Sequence, residues 1–376
     1  MNTIYVITKY VTVLGSLLKG QELPAYDISF PEPTTGCTVR HIEIDDDGFI
    51  WIATPNGVER YDGRTFRAYH LSNTRERSIT DGFMVKIKAA KGTIWTSTER
   101  GVVTCYDPKA DKFTKKFNTS KGEIWASGNC FYPTKEGMLI GTTSGLLPYY
   151  TQGDSIGDFV HTDLSIKAII GHSDGKRLLL ATFNGIKIYD PVTQKAEPYS
   201  SIEGEINVIY NDTINDCLWV GAQGSGLYIV DNKNLENIKH VSTTDNMIVN
   251  VITPLNDNTL LIGTDGDGLL ATYINDVRTD KGISDCKLIL LASESNDAPC
   301  RLTNSVIDDI VVDGDKLWLA LSLGGMALMQ PKNENNILSN PEAETYADGF
   351  AFGVDVDRDM CSVFLFILSE NSSTVV

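Results

Sequence analysis

The phrase FIWIATPNGVERYDG at Phe49–Gly63 returns as TIWTSTERGVVTCYDP at Thr93–Pro108, with the apolar run, the glycine turn and the aromatic ending in the same order. Aligned on its anchor, the phrase occurs seven times: WIAT at Trp51, WTST at Trp95, LIGT at Leu139, LLAT at Leu179, WVGA at Trp219, LIGT at Leu261 and WLAL at Trp318. The successive offsets are 44, 44, 40, 40, 42 and 57 residues. A glycine follows each anchor, at Gly57, Gly101, Gly145, Gly185, Gly226, Gly268 and Gly325. A fixed period of this length means that one unit cannot bury its apolar face alone and must stack on its neighbours.

Each piece of the unit has a physical task. A strand-like run such as Val39–Ile44 (VRHIEI) precedes the anchor and ends in a turn such as Asp46–Gly48. The anchor is apolar throughout and ends in small residues, as expected of a strand buried on both faces. The glycine allows positive φ in a tight hairpin. A third strand then runs VERYDG, VVTCYDP, IKIYDP or LYIVDN and stops at its Asp-Gly, Asp-Pro or Asp-Asn ending, before a fourth such as FRAYH or FTKKF. Glycine turns and β-branched alternation exclude helical-pair repeats. The expected fold is all-β, a seven-bladed β-propeller of four-stranded antiparallel blades. The segment Tyr26–Phe30 (YDISF) stands where a fourth strand would stand and is expected to complete the last blade, so that an N-terminal strand closes the ring. In the long sixth interval, Thr279–Arg301 is surplus, read as a long loop or an extended hairpin.

By this reading residues 1–20 are a degenerate signal segment, 21–335 the propeller, and 336–376 an irregular tail or the truncated start of a further repeat. The signal pattern lacks a basic n-region and is interrupted by Lys9, which leaves a mis-assigned start or a buried strand as alternatives. No other apolar stretch reaches the length of a transmembrane helix.

The phrase D-x-x-G-x-I-W-I-x-T-x-x-G-V-x-R-Y-D-G-x-x-F-x-x-Y at Asp45–Tyr69 resembles the two-component regulator propeller family, and the resemblance extends over roughly Tyr26–Gln330. It implies the extracytoplasmic, periplasmic or surface-facing sensor region of a bacterial hybrid two-component histidine kinase, many of which respond to polysaccharide breakdown products. Full-length relatives carry a further propeller, a β-sandwich, a membrane helix, a kinase and output domains. Since this chain shows no kinase histidine box, ATP lid or helix-turn-helix, it is expected to bind and not to phosphorylate. Its expected partners are a glycan or other small solute, signalling domains or partner subunits, and a second copy of itself in a homodimer. Contact with a membrane is expected only through segments outside the chain.

Charge narrows the partners further. A formal net charge of −17 opposes nucleic acid, whose binding rests on neutralised phosphates, and opposes anionic lipid. The seven cysteines form no CxxC pair; Cys286 and Cys300 bridge only if the protein is exported, and isolated thiols are the plainer reading.

Chemical motifs are sparse. The five histidines, His41, His70, His161, His172 and His240, have no metal spacing, and His70 and His161 fall in predicted outer strands. Asp45–Gly48 reads as a turn, and Asp355, Asp357 and Asp359 lack the glycine and the bidentate Glu of a calcium loop. No catalytic residue, metal or cofactor is assigned. Propellers bind ligands where the innermost strands converge on the central channel. There the sequence offers Arg40, His41, Lys86, Lys167, Asn207 and Asn250, with Asp308 on the same runs. Three cations on inner strands of an acidic chain point to an anionic ligand, unless these side chains turn sideways or pair with carboxylates; a one-residue slip of register would move each to the other face. Two further functions remain open. One is a propeller lyase or hydrolase acting on a polysaccharide or small molecule, which scarce histidines disfavour. The other is an interaction platform of the WD-repeat type, which the lack of G-H and W-D dipeptides at blade ends disfavours.

Overall fold

The computed structural model describes residues 23–332 apart from 34–35, 71–82, 121–125, 276 and 281. The signal-like segment 1–20, the tail 336–376, the Asp355–Asp359 pattern and Cys361 lie outside the described residues. The described residues up to Gln330 form one compact unit.

The seven repeats form seven antiparallel sheets. Blade 1 is built from His41–Ile44, Ile50–Thr54, Gly57–Tyr61 and Phe66–His70, innermost strand first. The inner strands of the next six blades are Met84–Ala90, Gly128–Pro133, Ile166–Gly171, Ile206–Asp212, Val249–Asn256 and Ile307–Asp313. Blade 7 takes its outermost strand, Tyr26–Ser29, from the start of the described chain, beside Gly325–Pro331. The expected closure is therefore present, and it covers an edge that would otherwise offer unpaired backbone groups.

Second strands are buried along their length because each is flanked by strands on both sides and by a blade on both faces. The anchors Trp51, Trp95, Leu139, Leu179, Trp219, Leu261 and Trp318 are all buried. Seven apolar clusters occur among the described residues, and each joins two successive blades with the anchor of one packed on the inner strands of the next. Trp51 shows the pattern: its ring lies 4.7 Å from Tyr106 and 5.8 Å from Phe113 of blade 2, and 5.7 Å from Tyr69 of its own blade. Burying a side chain of that size contributes about 2–3 kcal/mol before entropy is counted.

The small residues of the anchor have a steric cause. At Gly221 an added Cβ would lie 2.5 Å from Val249 Cγ1, so the inner strand of blade 6 packs directly on backbone. The threonine that ends several anchors ties down the hairpin: Thr142 Oγ1 donates to Gly145 O at 2.8 Å and accepts from Ser144 N at 3.0 Å, and Thr182 and Thr264 do likewise. All seven repeat glycines have positive φ. At Gly226 (φ 75°) a Cβ would also collide with Thr244.

Two blades depart from the expected unit. In blade 3 the fourth strand shrinks to Ser155–Ile156. In blade 6 the surplus segment is more than a loop. It contains a small hairpin (Arg278–Thr279 with Gly282–Ile283), the fourth strand of the blade at Leu288–Ser293, and a short parallel fifth strand, Cys300–Arg301. The apolar run LILLAS pairs with Leu269–Tyr273 as the outer strand of the blade. None of the six described cysteines is in a disulfide, Cys286 and Cys300 included.

Candidate functional site

The inner strands line the central channel, and six of them share one irregularity. The register shifts by a residue between Met84 and Lys86, Gly128 and Cys130, Ile166 and Ala168, Ile206 and Val208, Val249 and Val251, and Ile307 and Asp309. Such a bulge re-aims the extra side chain. The extra residues are Val85, Asn129, Lys167, Asn207, Asn250 and Asp308; Arg40 holds the same place in blade 1, before His41 pairs with Ala53. All seven line a cavity of about 590 Å³ at the channel mouth. The cavity wall also includes His41, Lys86 and Glu99, and a further space of about 330 Å³ continues along the inner strands past His41, Lys86 and Asp309.

The structure thus brings Arg40, His41, Lys86, Lys167, Asn207 and Asn250 together around one mouth, but it divides them by what they touch. Lys167 Nζ pairs with Glu205 of blade 5 at 2.7 Å. Asn207 Nδ2 donates to Val249 O at 3.2 Å and to Gln223 Oε1 at 2.8 Å, and Asn250 Nδ2 donates to Ile307 O at 3.1 Å. Asn129 makes the corresponding bond to Ile166 O at 2.9 Å. These side chains tie each blade to the next. Other groups complete the circuit: Lys88 with Glu43 at 2.6 Å between blades 1 and 2, and Ser97 Oγ to Gly128 O at 2.6 Å between blades 2 and 3.

Between blades 7 and 1 the tie is buried. His41 Nε2 lies 3.1 Å from Asp309 Oδ2, which also accepts from Ile42 N at 3.0 Å. Burial, reinforced by Lys86 and Lys88, holds His41 well below the usual imidazole range. Burial pushes the Asp309 carboxyl up to about 6, with Lys86 opposing. A neutral imidazole therefore donates Nε2–H to the carboxylate, and His41 Nδ1 has no hydrogen-bond partner. The neighbouring Asp308 is also pushed up to about 6 by burial, against the pull of Arg40 and a hydrogen bond from Ser322, and its Oδ2 is likewise without a partner. Arg40 and Lys86 make no ion pair among the described residues.

Sequence reasoning missed Asn129 and Val85. Aligning the buried residue just before each of the six bulges (Met84, Gly128, Ile166, Ile206, Val249 and Ile307) with Val39, in the matching place of blade 1, would have found both. The other histidines stand apart from the channel lining. His161 falls outside the strands, contrary to expectation, because it adopts a positive φ of 55° just past the Leu146–Val160 bridge; its Nε2 meets Gln194 O at 2.8 Å. His172 and His240 contact Asp174 and Asp245 in turns, and the backbone of His70 ends the fourth strand of blade 1. Asp45 caps its own turn, accepting from Asp47 N and Phe49 N, and its second oxygen takes the Trp51 indole N–H at 2.6 Å. Among the described residues no group of three or more His, Cys, Asp or Glu side chains is placed to hold a metal. No described helix is long and apolar enough to cross a membrane.

No family model matches the chain, and no curated protein does. Solved structures do. The extracellular domain of BT3049 from B. thetaiotaomicron, described as a hybrid two-component system, superposes with a TM-score of 0.66 at 19% identity, over 82% of this chain and 42% of that one. The extracellular domain of BT4673 from the same organism gives 0.63 at 21% identity, over 81% and 40%. Virginiamycin B lyase from Staphylococcus aureus gives 0.61 at 12% identity, over 81% and 99%. At these identities the likeness is one of fold. The first two neighbours are extracellular domains of the kind of system that the repeat phrase resembles, and this chain spans about two-fifths of their length.

Proposed function

We propose that this chain is a ligand-sensing propeller of a two-component signalling system, working outside the cytoplasm and recognising a glycan-derived solute at the channel mouth. The observation that carries this reading is the bulge repeated in six of the seven inner strands, with Arg40 in the matching place in blade 1. It turns one side chain per blade, six of the seven polar, into one cavity of a size that suits a small molecule. The repeat phrase and the extracellular neighbours of the same fold support it.

Sensing at such a site breaks no bond. A solute that contacts several blades favours one arrangement of the propeller against its signalling partners, whether those are fused domains, separate subunits or a second copy. It shifts their equilibrium only by its difference in affinity for the two arrangements. The test is calorimetry and thermal-shift measurement of the full chain against a panel of oligosaccharides. The expected result is saturable stabilisation by one class without turnover, since a ligand of the folded state alone raises stability by mass action.

A second reading, a propeller lyase or hydrolase, draws on the fold shared with virginiamycin B lyase and on the imidazole–carboxylate pair in the channel wall. Cleavage products in the same assay would establish it in place of the first. Stabilisation without products would exclude it for the sugars tried.

A further inference from the structure

The mouth is not uniform around its ring. On blades 3 to 6 the polar side chains are engaged: Asn129, Asn207 and Asn250 hold the next blade's backbone, and Lys167 holds Glu205. On blades 7, 1 and 2 they are engaged only in part, His41 by Asp309 and Asp308 by Ser322. Arg40 and Lys86 have no ion pair among the described residues, and two wall acceptors, His41 Nδ1 and Asp308 Oδ2, have no donor. Buried polar atoms without partners are rare in folded proteins, so two in the lining of one cavity mark a place where hydrogen bonds are to be made by something else. His41 is 6% exposed, held by Asp309 at one ring nitrogen and buried without a partner at the other.

The unmet groups define the ligand. Arg40 and Lys86 act on the Asp308 and Asp309 carboxyls only across space, without an ion pair, so both can also take an anion, and the two acceptors ask for hydroxyl donors. The carboxylate of Glu99 lies on the exposed rim, where solvent screens it, and Lys167 is neutralised by Glu205. We infer that the mouth takes an acidic sugar, a uronic acid unit, on the arc of blades 7, 1 and 2. Arg40 and Lys86 hold its carboxylate, and its ring hydroxyls donate to Asp308 and His41. This rests on the reading of the mouth as the ligand site and adds the ligand's class to it. Arg40 offers the planar fork that a carboxylate accepts, whereas Lys86 adds a point charge.

Calorimetry of the full chain with D-galacturonate, D-glucuronate and digalacturonate, against D-galactose, D-glucose and glycine, tests it. The uronates should bind saturably, at least about tenfold more tightly than the neutral sugars, and more weakly as salt rises. Arg40→Gln and Lys86→Gln should each weaken uronate binding about tenfold to a hundredfold while circular dichroism stays unchanged. Lys195→Gln, on the outer strand of blade 4, should leave it as it was. Neutral sugars or glycine bound as well as uronates, or uronate binding indifferent to Arg40→Gln, would overturn the acidic-sugar class and leave the sensing reading standing. No binding by any sugar would overturn both.

Discussion

Replacing single indoles by phenyl rings separates packing from hydrogen bonding at the four tryptophan anchors. All four are buried to a similar degree, so loss of size alone should cost about the same at each, on the order of 1 kcal/mol. Their N–H groups differ. Trp51 Nε1 donates to Asp45 Oδ2 at 2.6 Å, and Trp219 Nε1 reaches Asp212 Oδ2 at 3.4 Å. Trp95 and Trp318 have buried Nε1 atoms with no partner. A hydrogen bond to a charged acceptor is worth about 1.5–3 kcal/mol, and a buried donor without a partner costs about 1–3 kcal/mol. Trp51→Phe should therefore lose about 3 kcal/mol, whereas Trp95→Phe and Trp318→Phe should lose about 1 kcal/mol or nothing, because removing the orphaned N–H offsets the lost volume. Trp219→Phe should fall between. Urea unfolding followed by circular dichroism measures the order without relying on the fluorophores being removed. If Trp95→Phe costs as much as Trp51→Phe, the hydrogen-bond argument is wrong and the anchors act by size alone.

Other perturbations follow from the same structure. Asp308 titrates at about 6, against the usual 3.8, so the folded state holds its proton more tightly; the stability it contributes is full below about pH 4 and is lost as pH rises through about 6. His41 works in the opposite direction, because it stays neutral in the fold and loses stability as pH falls through the usual imidazole range. The difference between Asp308→Asn and wild type isolates the carboxyl: their melting temperatures should agree at pH 4, and the variant should be the more stable at pH 7, by less than about 3 kcal/mol. Tyr26→Ala, in the closing strand, should cost about 3 kcal/mol and expose blade 7 to proteolysis first; unchanged protease sensitivity would mean that the strand is not a seal. Gly226→Ala meets both a positive φ and a collision with Thr244, and a loss below about 1 kcal/mol in denaturant unfolding would show the hairpin to be more yielding than drawn.

What could be read from sequence depended on how many neighbours constrained each strand. The second strands declared themselves because burial on both faces leaves little choice of residue, and the glycine after each is demanded by its hairpin. The fourth strands are half exposed and tolerate almost anything, so Ser155–Ile156 and the displaced Leu288–Ser293 gave no clear pattern. Six mouth residues were found from their place on inner strands, but their roles were not. Whether Lys167 faces a ligand or Glu205 depends on a side chain from the next repeat, which a pattern within one repeat does not contain. The bulge is equally hidden. It puts Val85 and Lys86 both on the lining, where strict alternation would allow only one.

The strand Tyr26–Ser29 lies at one end of the described chain and its partner Gly325–Pro331 at the other. Contacts between residues near in sequence tend to form early, whereas this one closes a loop that runs through all seven blades of the described chain. By that argument the seam between blades 7 and 1 should be the last interface to assemble and the first to part. The unmet groups of the mouth, Arg40, His41 and Asp308, stand on that seam. A solute seated there would touch the first and the last blade at once and so bear on the closure of the described ring.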